Sequence, residues 1–214
     1  MPIVSRSGLN QAEYKLYSDH EAMTMDIGVY IVLGIFFLIL LYAVIIYNNL
    51  VSLKHGVSKA WSNIDVLLKQ RFDELPKLVE VCRQYMSYEQ DTLEKVMRAR
   101  SQVANAQQNQ DMQALGQAEG VLRLGLGHLF ALAEAYPELK ADQTFTHLQS
   151  RISGLENAIS DRREYYNESV NRNNVRIEQF PDVIIARLFG FGPFDLLEFS
   201  AEELQDVNIR ALFG

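Results

Sequence analysis

The sequence predicts an all-α protein: an elongated antiparallel bundle of three to four long helices, the first continuous with an N-terminal transmembrane helix. Three observations support this prediction. One apolar run carries no charge, apolar residues then recur every three or four positions, and strand-like alternation is absent before the tail. We therefore divide the chain into an N-terminal acidic segment (1–26), a transmembrane helix (27–47), a helical bundle domain (48–180) and a C-terminal tail, apolar and then acidic (181–214).

The apolar run at residues 27–47 has the length of a membrane span. Its 21 residues would form a helix of about 32 Å, which matches a bilayer core of roughly 30 Å. It is longer than the apolar part of a signal peptide, and the rest of the chain is too small to wrap it as a core helix. Lys54 and Lys59 follow the run, whereas Lys15 alone precedes it at a comparable distance. The positive-inside rule therefore predicts a single-pass protein of the cell (inner) membrane with its N-terminus outside and its bundle in the cytoplasm.

The first bundle helix is predicted to continue directly from the membrane span, because an apolar stripe runs from Leu50 to Phe72 without a breaker. Pro76 cannot donate a backbone hydrogen bond, so we expect a kink or a new helix start near Leu75, with Asp73 as its cap. Charged residues four apart line one side of this helix. They form either a solvated ion-pair ladder or a polar face that meets another subunit, and they are Asp65, Lys69 and Asp73.

The later helices are predicted from similar stripes. The second stripe includes Cys82, expected as a small buried apolar residue, and ends in the hairpin turn AQQNQD. Four glycines in the third helix indicate either close helix packing or a locally weak helix. Pro137 ends that helix, and Asp142 is expected to cap the fourth, which ends at Phe180-Pro181. The heptad stripe of the fourth helix is Phe145, Leu148, Ile152, Leu155 and Ile159.

Asparagines beside this heptad stripe are candidates for polar residues that fix the register of packed helices. They are Asn157, Asn167 and Asn173.

The C-terminal tail is too apolar to lie free in water. We expect it to dock on the bundle, on a second subunit or on the bilayer surface. The candidate contact residues are Ile184, Leu188, Phe189, Phe191, Phe194, Leu197 and Phe199.

The sequence contains few features that would indicate catalysis or the binding of nucleic acid, metal ions or phosphate. The net charge is −7 and no basic run occurs, which argues against a nucleic-acid partner. None of the four histidines lies in a metal-binding motif, and phosphate loops and nucleophile motifs are absent. We therefore predict no catalytic residue, no cofactor and no metal site.

Three ordered segments carry a resemblance to a known family: AWSNIDVLLKQRFDELPKLVE, EAYPELKADQTFTHLQ and ENAISDRREYYNESVNRNNVRIEQFP. With the anchor before them, the chain from about Tyr47 to Gly192 resembles the LemA family. The resemblance implies a bacterial or archaeal membrane-anchored helical bundle of uncertain biochemical role, without an established catalytic residue. It also implies structural importance for Asp65, Lys69, Arg71 and Pro76, for Tyr136 and Pro137, and for Arg163, Tyr166 and Asn167.

Two features depart from the family pattern: the acidic lead is longer, and the tail after Phe191 follows the pattern only loosely. Our leading hypothesis is a non-enzymatic membrane scaffold that forms a homo-oligomer through its helical rod and apolar tail and organises membrane or partner proteins. The alternative is an adaptor that binds a membrane enzyme such as a protease through Asp65, Lys69 and Asp73. An enzyme with a site assembled from charges on different helices is a third class.

Overall fold

The computed structural model describes the backbone of residues 11–198 and the side chains of residues 27–198. Within residues 11–198 the protein is all-α, as predicted, and has no strand. The helices are α1 (Gln11–Tyr85), α2 (Gln90–Asn109), α3 (Met112–Ala133), α4 (Pro137–Ala141), α5 (Gln143–Glu178) and α6 (Asp182–Phe189). The chain forms two compact units, Met1–Asn49 and Leu50–Gly214, and α1 contributes to both.

The first unit contains the apolar part of α1. In the part of the chain that the structure describes, α1 is the one helix long and apolar enough to cross a membrane, with a mean hydropathy of 3.0 over its most apolar stretch. Its side chains, such as Phe36 and Leu38, are exposed rather than packed in a protein core. The helix also includes residues 11–26 of the predicted acidic segment, whereas residues 1–10 lie outside the described residues.

Of the two alternatives predicted near Leu75, the new helix start is wrong, because α1 passes through Pro76 and ends only at Tyr85. A proline inside a helix costs about 3 kcal/mol. Leu75, Leu78 and Val79 on either side of it are buried, and their packing outweighs that cost. Asp73 accordingly lies inside the helix and not at a cap.

The second unit is a bundle in which successive long helices run in opposite directions. Helix α2 returns along α1, because Gln107 donates to Asp65 at 2.7 Å and Arg100 donates to the Phe72 carbonyl at 2.9 Å. The Arg100 guanidinium also lies 3.3 Å from the centroid of the Phe72 ring.

Helix α5 also runs antiparallel to α1. The Trp61 ring lies edge-on to Tyr166, with 5.9 Å between centroids. At the other end of α1, the Tyr85 hydroxyl donates to Asp142 at 3.1 Å. Each residue from Trp61 toward Tyr85 along α1 is therefore matched by one residue from Tyr166 back toward Asp142 along α5.

Aspartates cap two of the helices. Asp111 caps α3 by accepting from the Ala114 N–H at 2.9 Å; of the predicted turn AQQNQD, Gln110 and Asp111 lie between α2 and α3, whereas its first four residues belong to α2. The cap predicted at Asp142 is confirmed. Asp142 caps α5 by accepting from the Phe145 N–H at 2.9 Å, and this bond lowers the pKa of Asp142.

The core is built from the apolar stripes read from the sequence. Each residue of the α5 heptad stripe is buried, and the thiol of Cys82 is fully buried. Burial raises the pKa of Cys82 to about 12, so this thiol behaves as the expected apolar core residue and not as a nucleophile.

A buried cluster of charged side chains lies inside the bundle. Arg71 of α1 is 1% exposed, and its guanidinium donates to Glu119 of α3 and, at 2.5 Å, to Glu156 of α5. Burial acts to lower the pKa of Arg71, but the two carboxylates outweigh it, so this pKa lies above its ordinary value. Arg71 therefore connects three helices through charge-assisted hydrogen bonds.

Replacing this arginine should destabilise the bundle, because two carboxylates would lose their buried cationic partner. Arg71→Ala is expected to cost about 3–5 kcal/mol, or roughly 6–20 °C in melting temperature, by circular dichroism in detergent. Arg83→Ala is the control, since Arg83 is 60% exposed and pairs with Glu80 across one helical turn. Equal melting temperatures for the two variants would contradict a central role for Arg71.

Candidate interaction surfaces

The charged stripe on α1 is partly used inside the chain. One oxygen of Asp65 accepts from Lys69 at 2.7 Å and the other accepts from Gln107 at 2.7 Å. The bond from Lys69 is the largest influence that lowers the pKa of Asp65. Lys69 and Asp73 remain exposed, and Asp73 lies near the charge of Arg100 on α2. The stripe thus includes a contact with α2, and only two of its three predicted residues face outward.

The C-terminal tail divides into two parts with different surroundings. Helix α6 presents an outer surface, whereas residues 191–198 have no regular secondary structure and lie along α5. Leu197 is buried and belongs to the bundle core, and Phe194 is packed against that core. Phe199 lies outside the described residues.

Two asparagines of α5 hold the backbone of residues 191–198. Asn174 donates to the Phe194 carbonyl at 2.8 Å and accepts from the Phe194 N–H at 3.0 Å. Asn167 does the same for Leu197, at 3.1 and 2.9 Å. The two asparagines are seven residues apart, or about two helical turns, so they project from one side of α5. A primary amide is suited to this task because it offers both a donor and an acceptor.

Two further polar side chains complete this contact. The buried Asn173 donates to the Gly192 carbonyl at 3.4 Å, and the Tyr166 hydroxyl donates to the Asp195 carbonyl at 3.0 Å. Burial raises the pKa of Tyr166, and the charge of Asp195 adds to the effect. The backbone of the tail is therefore hydrogen-bonded along much of its length, which offsets the free-energy cost of burying its N–H and C=O groups.

The asparagines were expected to fix the register between helices, but Asn167 and Asn173 instead fix the tail on α5, and Asn157 is exposed. Sequence reasoning missed Asn174, and it singled out Gly116 with the other glycines of the third helix without predicting its contact with the tail. A Cβ atom on Gly116 would lie 1.8 Å from the carbonyl oxygen of Glu198, so glycine is needed where the tail meets α3.

The other glycines of α3 for which neighbours are described behave differently. A Cβ atom on Gly125 would lie 3.5 Å from the Val96 side chain of α2, an ordinary van der Waals contact, whereas a Cβ atom on Gly127 would meet nothing within 4 Å.

Helix α6 buries one side and exposes the other. Asp182 and Ala186 are buried, while Ile184, Leu188 and Phe189 are 56%, 72% and 57% exposed. Phe191, which follows the helix, is half-buried. The predicted tail contacts therefore fall into an inner group on the bundle and an outer group on α6.

Among residues 27–198, no group of three or more His, Cys, Asp or Glu side chains is placed to hold a metal ion. The polar groups considered above, at Arg71 and along α5, pair with other parts of the same chain. Chemically, these arrangements connect helices and hold a backbone segment.

The pairing of Asn167 with Leu197 can be tested with an isosteric change. Asn167→Asp removes the donor and places a carboxylate beside the Leu197 carbonyl, a loss of about 1–3 kcal/mol. Hydrogen exchange of the Leu197 amide should then be roughly 5 to 150 times faster. Asn157→Asp is the matched control, because Asn157 is an exposed asparagine of the same helix. Similar exchange rates in both variants would argue against the pairing.

Comparison of the sequence with known proteins identifies a family and several relatives. The LemA family model matches residues 60–210. Magnetosome protein MamQ 2 of Paramagnetospirillum magneticum is 23% identical over 168 residues, which cover 68% of this chain and 62% of the relative. Protein LemA of Metamycoplasma hominis is 25% identical over 164 residues, covering 76% of this chain and 72% of the relative.

A third relative matches a shorter segment: MamQ of Magnetospirillum gryphiswaldense is 33% identical over 78 residues, covering 36% of this chain and 29% of the relative. The chain thus spans less than two thirds of the length of the MamQ proteins that it matches. A helix of spanning length, in a chain similar to magnetosome proteins, indicates a membrane protein. Since the family model covers most of the sequence, the chain belongs to the LemA family.

Proposed function

We propose that this protein is a non-enzymatic, single-pass membrane scaffold that self-associates and thereby organises the membrane or partner proteins. Its N-terminus would lie outside the cell (inner) membrane and its bundle in the cytoplasm. Lys54 and Lys59, exposed just after the apolar part of α1, support this orientation.

The observation that carries self-association is an exposed apolar pair on α3. Val121 and Leu124 are each 54% exposed and lie three residues apart on one helix face. Beside them, a shallow groove between α2 and α3 is lined by three alanines, Ala106, Ala114 and Ala118, among polar side chains such as Gln102 and Gln117. Small side chains let a helix approach closely, so this surface suits the packing of a helix from a second copy.

The tail takes a narrower part in this proposal than the sequence suggested. Phe194 and Leu197 pack on the bundle of their own chain, so a second copy would meet the α3 surface first. The membrane adds a further contribution, because chains anchored in one bilayer have a high local concentration and a weak contact can suffice.

The proposal predicts that the full-length chain, purified in a mild detergent, contains more than one copy per particle. Light scattering should give a protein mass that is a multiple of 24.5 kDa. The double variant Val121→Glu, Leu124→Glu should shift this mass toward a single copy, because it would bring like charges into the contact.

Tyr88→Glu is the control, since Tyr88 is 94% exposed in the turn between α1 and α2, away from the α3 surface. A strictly monomeric wild-type chain would contradict self-association. An oligomer that the double variant leaves intact would remove the α3 surface from the proposal.

A further inference from the structure

The end of α5 lies at the level of Leu50. Trp61 packs against Tyr166. Leu50 lies eleven positions before Trp61, and Ile177 lies eleven positions after Tyr166. Because the two helices are antiparallel, Ile177 falls beside the start of the bundle, and both Leu50 and Ile177 are buried. Leu50 follows the apolar part of α1 by three residues, so chain connectivity makes this the membrane-proximal end of the bundle.

Helix α6 is fixed at this same end. Its first residue, Asp182, is buried and accepts from Arg176 near the end of α5 at 2.8 Å. After Gly190, in the left-handed conformation at φ 70°, the chain returns along α5 toward Tyr166. Helix α6 is therefore the turning point of the tail next to the membrane-proximal end.

The outward side of this turning point is apolar. Ile184 and Leu188 are four residues apart on one side of α6, and Phe180 lies in the turn just before the helix; these three side chains are 56%, 72% and 82% exposed. A stripe of three large apolar side chains in water is unfavourable. We call Phe180, Ile184 and Leu188 the α6 stripe.

We propose that the α6 stripe lies in the headgroup region of the bilayer that α1 crosses, as a second contact of the bundle with lipid. This inference rests on the membrane anchoring in the proposed function. It makes α6 an interfacial element, with Ile184 and Leu188 toward the membrane and Asp182 and Ala186 on the bundle.

The position of the stripe favours lipid over a second copy. It lies at the end of the bundle where the chain leaves the apolar part of α1, whereas the α3 surface proposed for a second copy lies further along, near the level of the Arg71–Glu119 ion pair. Because α1 already holds the bundle at the bilayer, a small apolar surface is enough for contact with lipid. Arg187 and Lys54 are exposed at the same end and would favour anionic headgroups.

Spin-label accessibility in the full-length protein tests this proposal. A nitroxide is attached at Leu188→Cys, with Tyr88→Cys as the control at the opposite end of the bundle. Cys82 is fully buried and should stay unlabelled. The protein is placed in phosphatidylcholine bilayers containing phosphatidylglycerol, and collision rates are measured with oxygen, which enters lipid, and with a water-soluble nickel chelate.

The proposal predicts a ratio of oxygen to nickel collisions that is higher at Leu188 than at Tyr88 by about tenfold or more, because the two reagents partition oppositely between lipid and water. Equal ratios would overturn the proposal and leave the α6 stripe in water. Low collision rates with both reagents, together with spin–spin broadening between copies, would also overturn it and assign the stripe to a second copy. Neither result bears on the mass measured in detergent, so failure of this inference is distinguishable from failure of the scaffold.

Discussion

The antiparallel pairing of α1 with α5 is the constraint on which the rest of the second unit depends. It is specified along its length by Trp61 with Tyr166, Arg71 with Glu156 and Tyr85 with Asp142. This register brings the end of α5, and hence α6, to the start of the bundle. It also determines where the tail can return, because residues 191–198 run along the side of α5 that carries Asn167 and Asn174.

Buried polar groups specify this arrangement more than they stabilise it. A buried ion pair gains little over a well-packed apolar replacement, but breaking it leaves an uncompensated charge. A shift of α5 along α1 would separate Arg71 from Glu156 and leave charges unpaired in the core. The asparagines have a similar effect on the tail, since a one-residue slip would leave amide and backbone groups without hydrogen bonds. Apolar contacts alone would tolerate such slips more easily.

The sequence predicted those parts of the fold that depend on local chemistry. Apolar periodicity predicted the helices and the buried heptad stripe, and Asp142 was identified as a cap because a capping side chain acts on its own next turn. The new helix start at Pro76, one of two predicted alternatives, was wrong because the local cost of proline was not weighed against the packing of Leu75 and Leu78. The turn lies instead between Tyr85 and Gln90, where no proline or glycine marks it.

The contact between the tail and α5 could not be predicted in the same way. Asn174 and Gly116 matter because residues 191–198 reach them from a distant part of the sequence. Their spacing within their own helices carries no sign of that partner. The division of the tail into an inner segment and an outer helix likewise follows from the place where α5 ends.

The register of α1 against α5 is tested most directly by distances between pairs of spin labels. Ser58, Asn171 and Ser150 are exposed. The account predicts that Ser58 and Asn171 lie at nearly the same level, on neighbouring helices whose axes are about 10 Å apart. Measured along the helix axis, Ser150 should lie about 28 Å from the level of Ser58, which corresponds to 19 residues of α5. A longer distance from Ser58 to Asn171 than from Ser58 to Ser150 would contradict the register and, with it, the placement of α6 at the membrane-proximal end.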